Sequence, residues 1–268
     1  MADRPKTLVI VEGKRTEPVL FRRMAAVFGM DMDVYAVGGN IYAIYRSLER
    51  ERFEANVKDV AAELSGSAED RKVLSQDFAD TFLVFDCDPH HTDNRGEAPT
   101  PVGRIVERNF GRILEMARHL DDSTDPTKGK LFVNYPMVEA FRDCDDFFDP
   151  AFERTDVPVE EIAAYKRRVA SRKLNRFHPG SFSRGQFESL VRMNVFKLSS
   201  MNRTGFGPVS YDAFLRQSGC EAIARREREL VRATGRMPVL CPSLFLPIDY
   251  FGNKDGAFDR IAGRNETR

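Results

Sequence analysis

Short apolar runs alternate with longer amphipathic stretches along the first half of the chain. Buried strands are predicted at residues 7–11, 33–37, 81–85 and 130–133. Between them, apolar residues recur at helical spacing over 17–28, 41–64 and 102–120, with a loop over 93–101. Strands that alternate with helices are typical of a parallel sheet covered by helices, so the pattern predicts an α/β fold.

The pattern changes after the fourth predicted strand. A short helix is indicated at 137–141. From Val159 to about Thr234 the spacing is mostly helical, with interruptions near Pro179-Gly180 and from Gly205 to Pro208. We therefore divide the chain into an α/β domain over 1–150 and a mostly helical extension over 151–268. This extension is expected to bind the substrate or a partner.

Composition limits the class of protein. The chain has 268 residues and is 42% hydrophobic, which is enough for a folded core. Because it has no long apolar run and no apolar signal core after Met1, we expect a cytoplasmic protein without a membrane span. Basic and acidic residues balance at 41 each, so attraction for nucleic acid has to be local or supplied by a partner.

Acidic residues follow two of the predicted strands. Glu12 comes directly after the first strand, and Asp86 and Asp88 come after the third. Parallel strands bring their carboxyl ends to one edge of a sheet, where open α/β sheets bind ligands. Carboxylates spaced i and i+2 supply the hard oxygen ligands that suit Mg²⁺. Each motif alone is also typical of a simple turn, but their joint placement predicts a site for Mg²⁺ or Mn²⁺.

The residues around these acids carry a family resemblance. The segment VEGKRTEP at 11–18, followed by LVFDCD at 83–88, resembles the signature of TOPRIM domains in topoisomerases, bacterial primases, OLD-family nucleases and small RNA-maturing nucleases. It is particularly similar to the stand-alone RloB-like proteins associated with restriction and phage-defence loci. The resemblance covers about residues 6–145 and implies a TOPRIM (Rossmann-like) parallel-sheet core. It also implies that Glu12 is the general acid/base and a metal ligand, with Asp86 and Asp88 as metal ligands.

A third stretch is similar in position to another part of the RloB-like pattern. Asn134 to Glu139 corresponds to the Asn-Pro-x-x-Glu stretch that follows the second motif, with Tyr135 as an inserted residue. Glu139 is therefore a further candidate site residue.

Three other side chains near the motifs are candidates. Lys14 is a candidate catalytic residue that stabilises charge on a phosphate, although a lysine here is equally typical of an exposed loop. His90 and His91 follow the aspartates closely enough to orient a water or bind a softer metal. Most loop histidines do neither.

Basic residues cluster in the C-terminal half, and we interpret them as a contact surface for nucleic acid or an acidic partner. They are Lys166, Arg167, Arg168, Arg172, Lys173 and Arg176. On one continuous helix, Lys166, Lys173 and Arg176 would share a face. A solvated helix face is the alternative interpretation.

The leading functional hypothesis is a metal-dependent nuclease that cleaves DNA or RNA. The resemblance further implies the toxic effector of a phage-defence system. The segment from Gly13 to Thr16 lacks the first glycine of a phosphate-binding loop, so an ATPase partner would have to bind ATP. The alternatives are an autonomous RNA-maturing nuclease, a topoisomerase or primase component, a non-catalytic sensor module, and a structural α/β protein with coincidental acids.

Overall fold

The computed structural model of the protein describes residues 6–65, 67–92 and 101–263. The predicted loop at 93–101 lies outside the described residues, except for its last residue.

A five-stranded sheet occupies the first half of the chain. Its strands are β1 (Thr7–Val11), β2 (Met32–Ala36), β3 (Asp80–Asp86), β4 (Asp121–Asp122) and β5 (Gly129–Asn134). In the strand order β2-β1-β3-β5-β4, all pairs are parallel except the pair between β4 and β5. The four long strands confirm those predicted from the sequence to within a residue or two at each end. The α/β class is therefore confirmed, and the mostly parallel sheet is compatible with a Rossmann-like fold.

Helices connect the strands and make up most of the second half. They are α1 (Thr16–Phe28), α2 (Ile41–Arg50), α3 (Val57–Ser65), α4 (Ala68–Leu74), α5 (Val102–His119), α6 (Tyr165–Ala170), α7 (Arg184–Met201), α8 (Tyr211–Ser218), α9 (Cys220–Thr234), α10 (Leu246–Phe251) and α11 (Ala257–Ala262). In the part of the chain that the structure describes, none of them is both long and apolar enough to cross a membrane.

The single helix predicted over 41–64 is wrong, because the chain forms two helices there. Helix α2 ends at Arg50, and Arg52 and Phe53 adopt left-handed backbone angles, with φ of 51° and 61°. The Phe53 ring packs edge-on against Tyr45 and His119 at 6.0 and 5.2 Å between ring centroids. These contacts stabilise the turn between the helices, and apolar residues keep their helical spacing on both sides of it.

The interruptions predicted near Pro179-Gly180 and from Gly205 to Pro208 are confirmed, since a 3₁₀ segment occupies Pro179–Ser181 and α7 ends at Met201. The mostly helical region over 159–234 is broken further by the 3₁₀ segments Val159–Ala164 and Lys173–Arg176, which the periodicity did not indicate. Two short strands that flank the region, β6 (Asp156–Pro158) and β7 (Arg236–Pro238), pair in antiparallel orientation. Strands of three residues are too short to produce a recognisable alternation in the sequence.

Buried hydrogen bonds join the sheet to the C-terminal half. Asn134, the last residue of β5, accepts hydrogen bonds at Oδ1 from Cys241 Sγ at 3.3 Å and from the Ser243 amide at 3.3 Å. The Cys241 amide in turn donates to Asn194 Oδ1 of α7 at 2.9 Å. One hydrophobic core also includes buried residues from both sides of residue 150.

An ion-pair network links α5 to α9. Glu107 of α5 accepts hydrogen bonds from Arg228 and Arg232 of α9, with N–O distances of 2.8 and 2.7 Å. Hydrogen bonding from Arg232, followed by that from Arg228, lowers the pKa of Glu107 to about 2. Since the ordinary value is 4.5, the folded state favours the ionised carboxylate.

We expect Glu107→Gln to lower the free energy of unfolding at neutral pH and to reduce its dependence on acid. The stabilisation by Glu107 is fully present above its ordinary pKa and is lost as the pH falls through about 2. Urea denaturation of wild type and variant from about pH 7 to about pH 3 measures the difference, which should shrink as the pH falls. Glu54→Gln, at an exposed position, is the control. A difference that does not change with pH would contradict this assignment.

Candidate acidic site at the sheet edge

Glu12 and Asp86 meet where two adjacent parallel strands end. The Glu12 amide donates to the Val84 carbonyl at 3.2 Å, which extends the ladder between β1 and β3 by one residue. The Glu12 side chain then turns towards β3, and its Oε2 accepts a hydrogen bond from the Asp86 amide at 3.2 Å. The sequence therefore correctly predicted that these two residues share one edge of the sheet.

Asp86 also connects the sheet edge to Glu139. Its Oδ1 accepts a hydrogen bond of 2.7 Å from the Val138 amide, at the start of the 3₁₀ turn Val138–Arg142. Glu139 follows on that turn and is 9% exposed. Its Oε1 lies 3.6 Å from Lys166 Nζ, while its buried Oε2 has no hydrogen-bond partner among the described residues. Although the sequence offered only a weak positional argument for Glu139, the fold brings it to the same edge.

Asp88 lies in a turn directly beyond β3. Its backbone is left-handed, with φ of 34°, and its amide donates to the Pro136 carbonyl at 3.3 Å. A non-glycine residue in this conformation is uncommon, and such residues concentrate at functional sites. The Asp88 charge contributes to raising the pKa of Glu12, so the two carboxylates are electrostatic neighbours.

Glu17 is a member of this site that the sequence analysis missed. It lies in the first turn of α1 and is 6% exposed, and its Oε1 accepts a hydrogen bond from the Gly13 amide at 3.0 Å. A Cβ atom on Gly13 would lie 2.6 Å from Glu17 Oε2, so glycine is required for this close approach. The sequence could have indicated Glu17 only as an acid four residues after Gly13. An acidic residue is equally typical of the first turn of any helix.

Five carboxylates are electrostatic neighbours at this edge, and we call them the acid cluster. Its members are Glu12, Glu17, Asp86, Asp88 and Glu139. Burial, together with the charges of Glu17 and Asp88, raises the pKa of Glu12 to about 7. Burial and the neighbouring carboxylates raise the pKa of Asp86 well above its ordinary value. Lys166 opposes the shift at Glu12, but negative charge still dominates the acid cluster.

The acid cluster fits a hard divalent cation in its chemistry, although its side chains do not form a closed coordination set. Its donors are all carboxylate oxygens, and Oε2 of Glu139 lacks a hydrogen-bond partner in the described structure. Within residues 6–65, 67–92 and 101–263, however, no group of three or more His, Cys, Asp or Glu side chains is arranged to hold a metal ion. Glu12 and Asp86 each use one oxygen for a backbone amide, which leaves the second oxygen of each carboxylate for a cation.

The two histidines after Asp88 have different surroundings. The His91 ring stacks on Tyr42 at 4.6 Å between centroids, and its Nδ1 lies 3.3 Å from Asn40 Nδ2. The His90 Nε2 atom is buried without a hydrogen-bond partner in the described residues. His91 is therefore held by packing beside α2, and a direct role for either ring stays a prediction.

Tyr42 supports the turn that carries Asp88. Its hydroxyl donates to the Cys87 carbonyl at 2.5 Å, and its side chain is fully buried. This hydrogen bond fixes the backbone between Asp86 and Asp88.

Lys14 is exposed on the loop between β1 and α1. Its side chain crosses Gly38, where an added Cβ would lie 2.7 Å from Lys14 Cε. No described carboxylate pairs with its ammonium group.

The basic cluster does not lie on one helix, so the shared face predicted for Lys166, Lys173 and Arg176 is wrong. Helix α6 ends at Ala170, and a separate 3₁₀ turn begins at Lys173, whose amide donates to Asp145 Oδ1 at 3.0 Å. This hydrogen bond supports the separate turn, a geometry that helical spacing in the sequence cannot reveal.

The members of the basic cluster also have different partners. Arg168 and Arg172 form ion pairs of 2.8 and 2.7 Å with Asp143, whose side chain is fully buried. Lys166 pairs with Glu139 at the acid cluster. The remaining members, Arg167, Lys173 and Arg176, are exposed. A role in nucleic-acid or partner binding stays a prediction for all of them, but two arginines already have a structural role.

Comparisons with known proteins add no family to this description. The chain matches no protein-family model, no curated protein and no solved structure.

We expect Arg168→Ala and Arg172→Ala each to destabilise the fold, because each leaves the buried Asp143 carboxylate with one cation fewer. Losing one partner of a buried ion pair costs on the order of 3 kcal/mol when no other cation remains. The remaining arginine should keep each single loss below that figure, and the double variant should lose more than either. Urea denaturation measures these differences, with Arg167→Ala as the exposed control from the same helix. Equal stability of the wild type, the two single variants and the double variant would show that Asp143 does not depend on these arginines.

Proposed function

We propose that the acid cluster binds Mg²⁺ or Mn²⁺ and cleaves phosphodiester bonds in DNA or RNA. The observation that carries the proposal is the convergence of Glu12, Asp86, Asp88 and Glu139 at the carboxyl edge of a parallel sheet. This is the position at which open α/β sheets bind their ligands. The resemblance to RloB-like TOPRIM proteins, together with the compatible fold class, supports the same activity.

Asp86 and Asp88 are the proposed metal ligands, with Glu12 and Glu139 as further oxygen donors. A divalent cation bound there would polarise a phosphate oxygen and offset the charge that develops on it. Lys14, exposed beside the cluster, is the proposed cation that contacts the reacting phosphate.

Glu12 is proposed either to take a proton from the water that attacks phosphorus or to give a proton to the leaving oxygen as its bond to phosphorus breaks. Without a bound cation, the pKa of about 7 allows Glu12 to hold a proton near neutral pH, and a cation bound beside it would lower that pKa and favour the carboxylate that acts as a base. Its hydrogen bond from the Asp86 amide would hold the carboxylate in place during the transfer.

Control by an ATPase subunit in a phage-defence system is a further part of the proposal. Its support is the RloB-like resemblance, the balanced total of 41 basic and 41 acidic residues, and the incomplete phosphate-binding loop near Lys14. A stoichiometric ATPase that co-purifies and changes cleavage would support this arrangement. Full metal-dependent activity of the isolated protein would instead favour an autonomous nuclease.

We expect Asp86→Asn and Glu12→Gln each to reduce metal-dependent cleavage by about 10²-fold or more, because each removes a proposed metal ligand or proton carrier. Labelled RNA and DNA, incubated with Mg²⁺ or Mn²⁺, measure the rate. Asp212→Asn, an exposed change on α8, is the matched control. The Asp86 variant should be at least as stable as wild type, since it relieves crowding among the carboxylates and keeps an acceptor for the Val138 amide. Unchanged cleavage by both variants would refute the proposal.

We also expect Mn²⁺ to raise the thermal unfolding temperature of the wild-type protein. A ligand that binds only the folded state stabilises it, by about 2.7 kcal/mol at a hundred times its dissociation constant. The double variant Asp86→Asn/Asp88→Asn should lose this shift, whereas Asp121→Asn/Asp122→Asn on the exposed strand β4 should keep it. An equal shift in both double variants would place the metal elsewhere.

A further inference from the structure

A surface groove of about 420 Å³ opens between the start of α1 and the 3₁₀ turn Pro179–Ser181. Lys14, Arg15 and Thr16 line one wall, and Arg142, His178 and Pro179 line the other. The groove is therefore rich in cationic and hydrogen-bonding side chains.

The two walls are fixed to each other by direct contacts. Arg23 Nε of α1 donates to the Phe182 carbonyl at 2.7 Å. A Cβ atom on Gly180 would lie 3.3 Å from Val19 Cγ1, which shows how closely the turn approaches α1. Because the walls pack together in this way, the groove is already formed before any ligand binds.

The cations of the groove form no ion pair within the described part of the chain, although the charge of Glu139 acts on Arg142. Lys14, Arg15 and Arg142 form no ion pair with any described residue, whereas Arg168 and Arg172 are neutralised by Asp143. Arg142 is half-buried, and its Nε has no hydrogen-bond partner in the described structure. A buried N–H donor without a partner is costly, and the planar donors of a guanidinium match phosphate oxygens. The groove is therefore suited to an anionic ligand.

His178 adds a hydrogen-bond donor to the groove. Its Nδ1 accepts a hydrogen bond from the Gly180 amide at 3.2 Å, so the proton of the neutral ring lies on Nε2. This N–H supplements the three cations of the groove.

Both walls of the groove follow members of the acid cluster along the chain. Lys14 is two residues after Glu12, and Arg142 is three residues after Glu139 on the same 3₁₀ turn. A nucleic-acid strand carries phosphates at regular intervals, so a strand that reaches the acid cluster can also present a phosphate to the groove.

We propose that the groove binds backbone phosphates of a nucleic-acid strand next to the bond to be cut, with Arg15 and Arg142 as phosphate ligands. The role of the neighbouring bond rests on the proposed nuclease function, whereas phosphate binding by the groove does not. Neither arginine belongs to the basic cluster around Lys166, so this surface is a separate contact.

Binding of labelled single-stranded RNA and DNA oligonucleotides, measured by fluorescence anisotropy in EDTA at several salt concentrations, tests the groove without cleavage. Arg142→Gln and Arg15→Gln should each weaken affinity by about 3-fold to 10-fold and lower the salt slope by about one. Arg216→Gln, an exposed change on α8, should leave both quantities unchanged. Arg142→Lys should recover most of the salt slope because it restores the charge.

Comparison of the RNA and DNA oligonucleotides identifies the kind of strand that binds. Binding of RNA, DNA or both supports the proposal if the variants show the expected loss of affinity and of salt slope. Wild-type salt slopes in both Arg142→Gln and Arg15→Gln would overturn the proposal. A wild-type protein that binds neither the RNA nor the DNA oligonucleotide would also overturn it. Because Arg15 is exposed, its variant remains informative if Arg142→Gln fails to fold. Groove-dependent binding without metal-dependent cleavage would refute only the nuclease function, and cleavage with unchanged variant binding would refute only the groove.

Discussion

The parallel pairing of β1 with β3 holds Glu12 and Asp86 together. Its register aligns Val11 with Val84, so both strands end at the same edge, and the hydrogen bond from the Asp86 amide to Glu12 joins them there. Neither residue can move far without breaking a buried ladder. Glu17 is attached to this edge through the Gly13 amide. The 3₁₀ turn with Glu139 is attached through the hydrogen bond from the Val138 amide to Asp86.

Crowding carboxylates at one edge opposes folding, because burial and mutual repulsion both disfavour their ionised forms. Backbone amides at Asp86, Gly13 and Val138 offset part of this cost, and Lys166 supplies a positive charge. Between their ends the strands beneath are buried and mostly apolar, which gives the fold stability with which to tolerate the remaining repulsion. A bound cation would relieve the same repulsion, so cation binding and folding would be thermodynamically linked.

The second half of the chain completes the site that the first half begins. Asn134 at the end of β5 is held by Cys241 and Ser243, which fixes the strand from which the Glu139 turn departs. Lys166 comes from α6, and His178 forms part of the groove wall against α1. The region after residue 150 therefore positions and neutralises groups at the sheet edge.

The sequence alone determined the parallel strands and the place of Glu12 and Asp86 at their ends, because a buried strand requires a continuous apolar run and an acid directly after it must lie at the edge. It did not reveal the break after Arg50, where the apolar spacing continues although the backbone turns. Glu17, Arg142 and the division of the basic cluster depended on tertiary structure. Their partners and neighbours are distant in the chain or lie across turns too short to leave a periodic pattern, and only packing decides which charges meet.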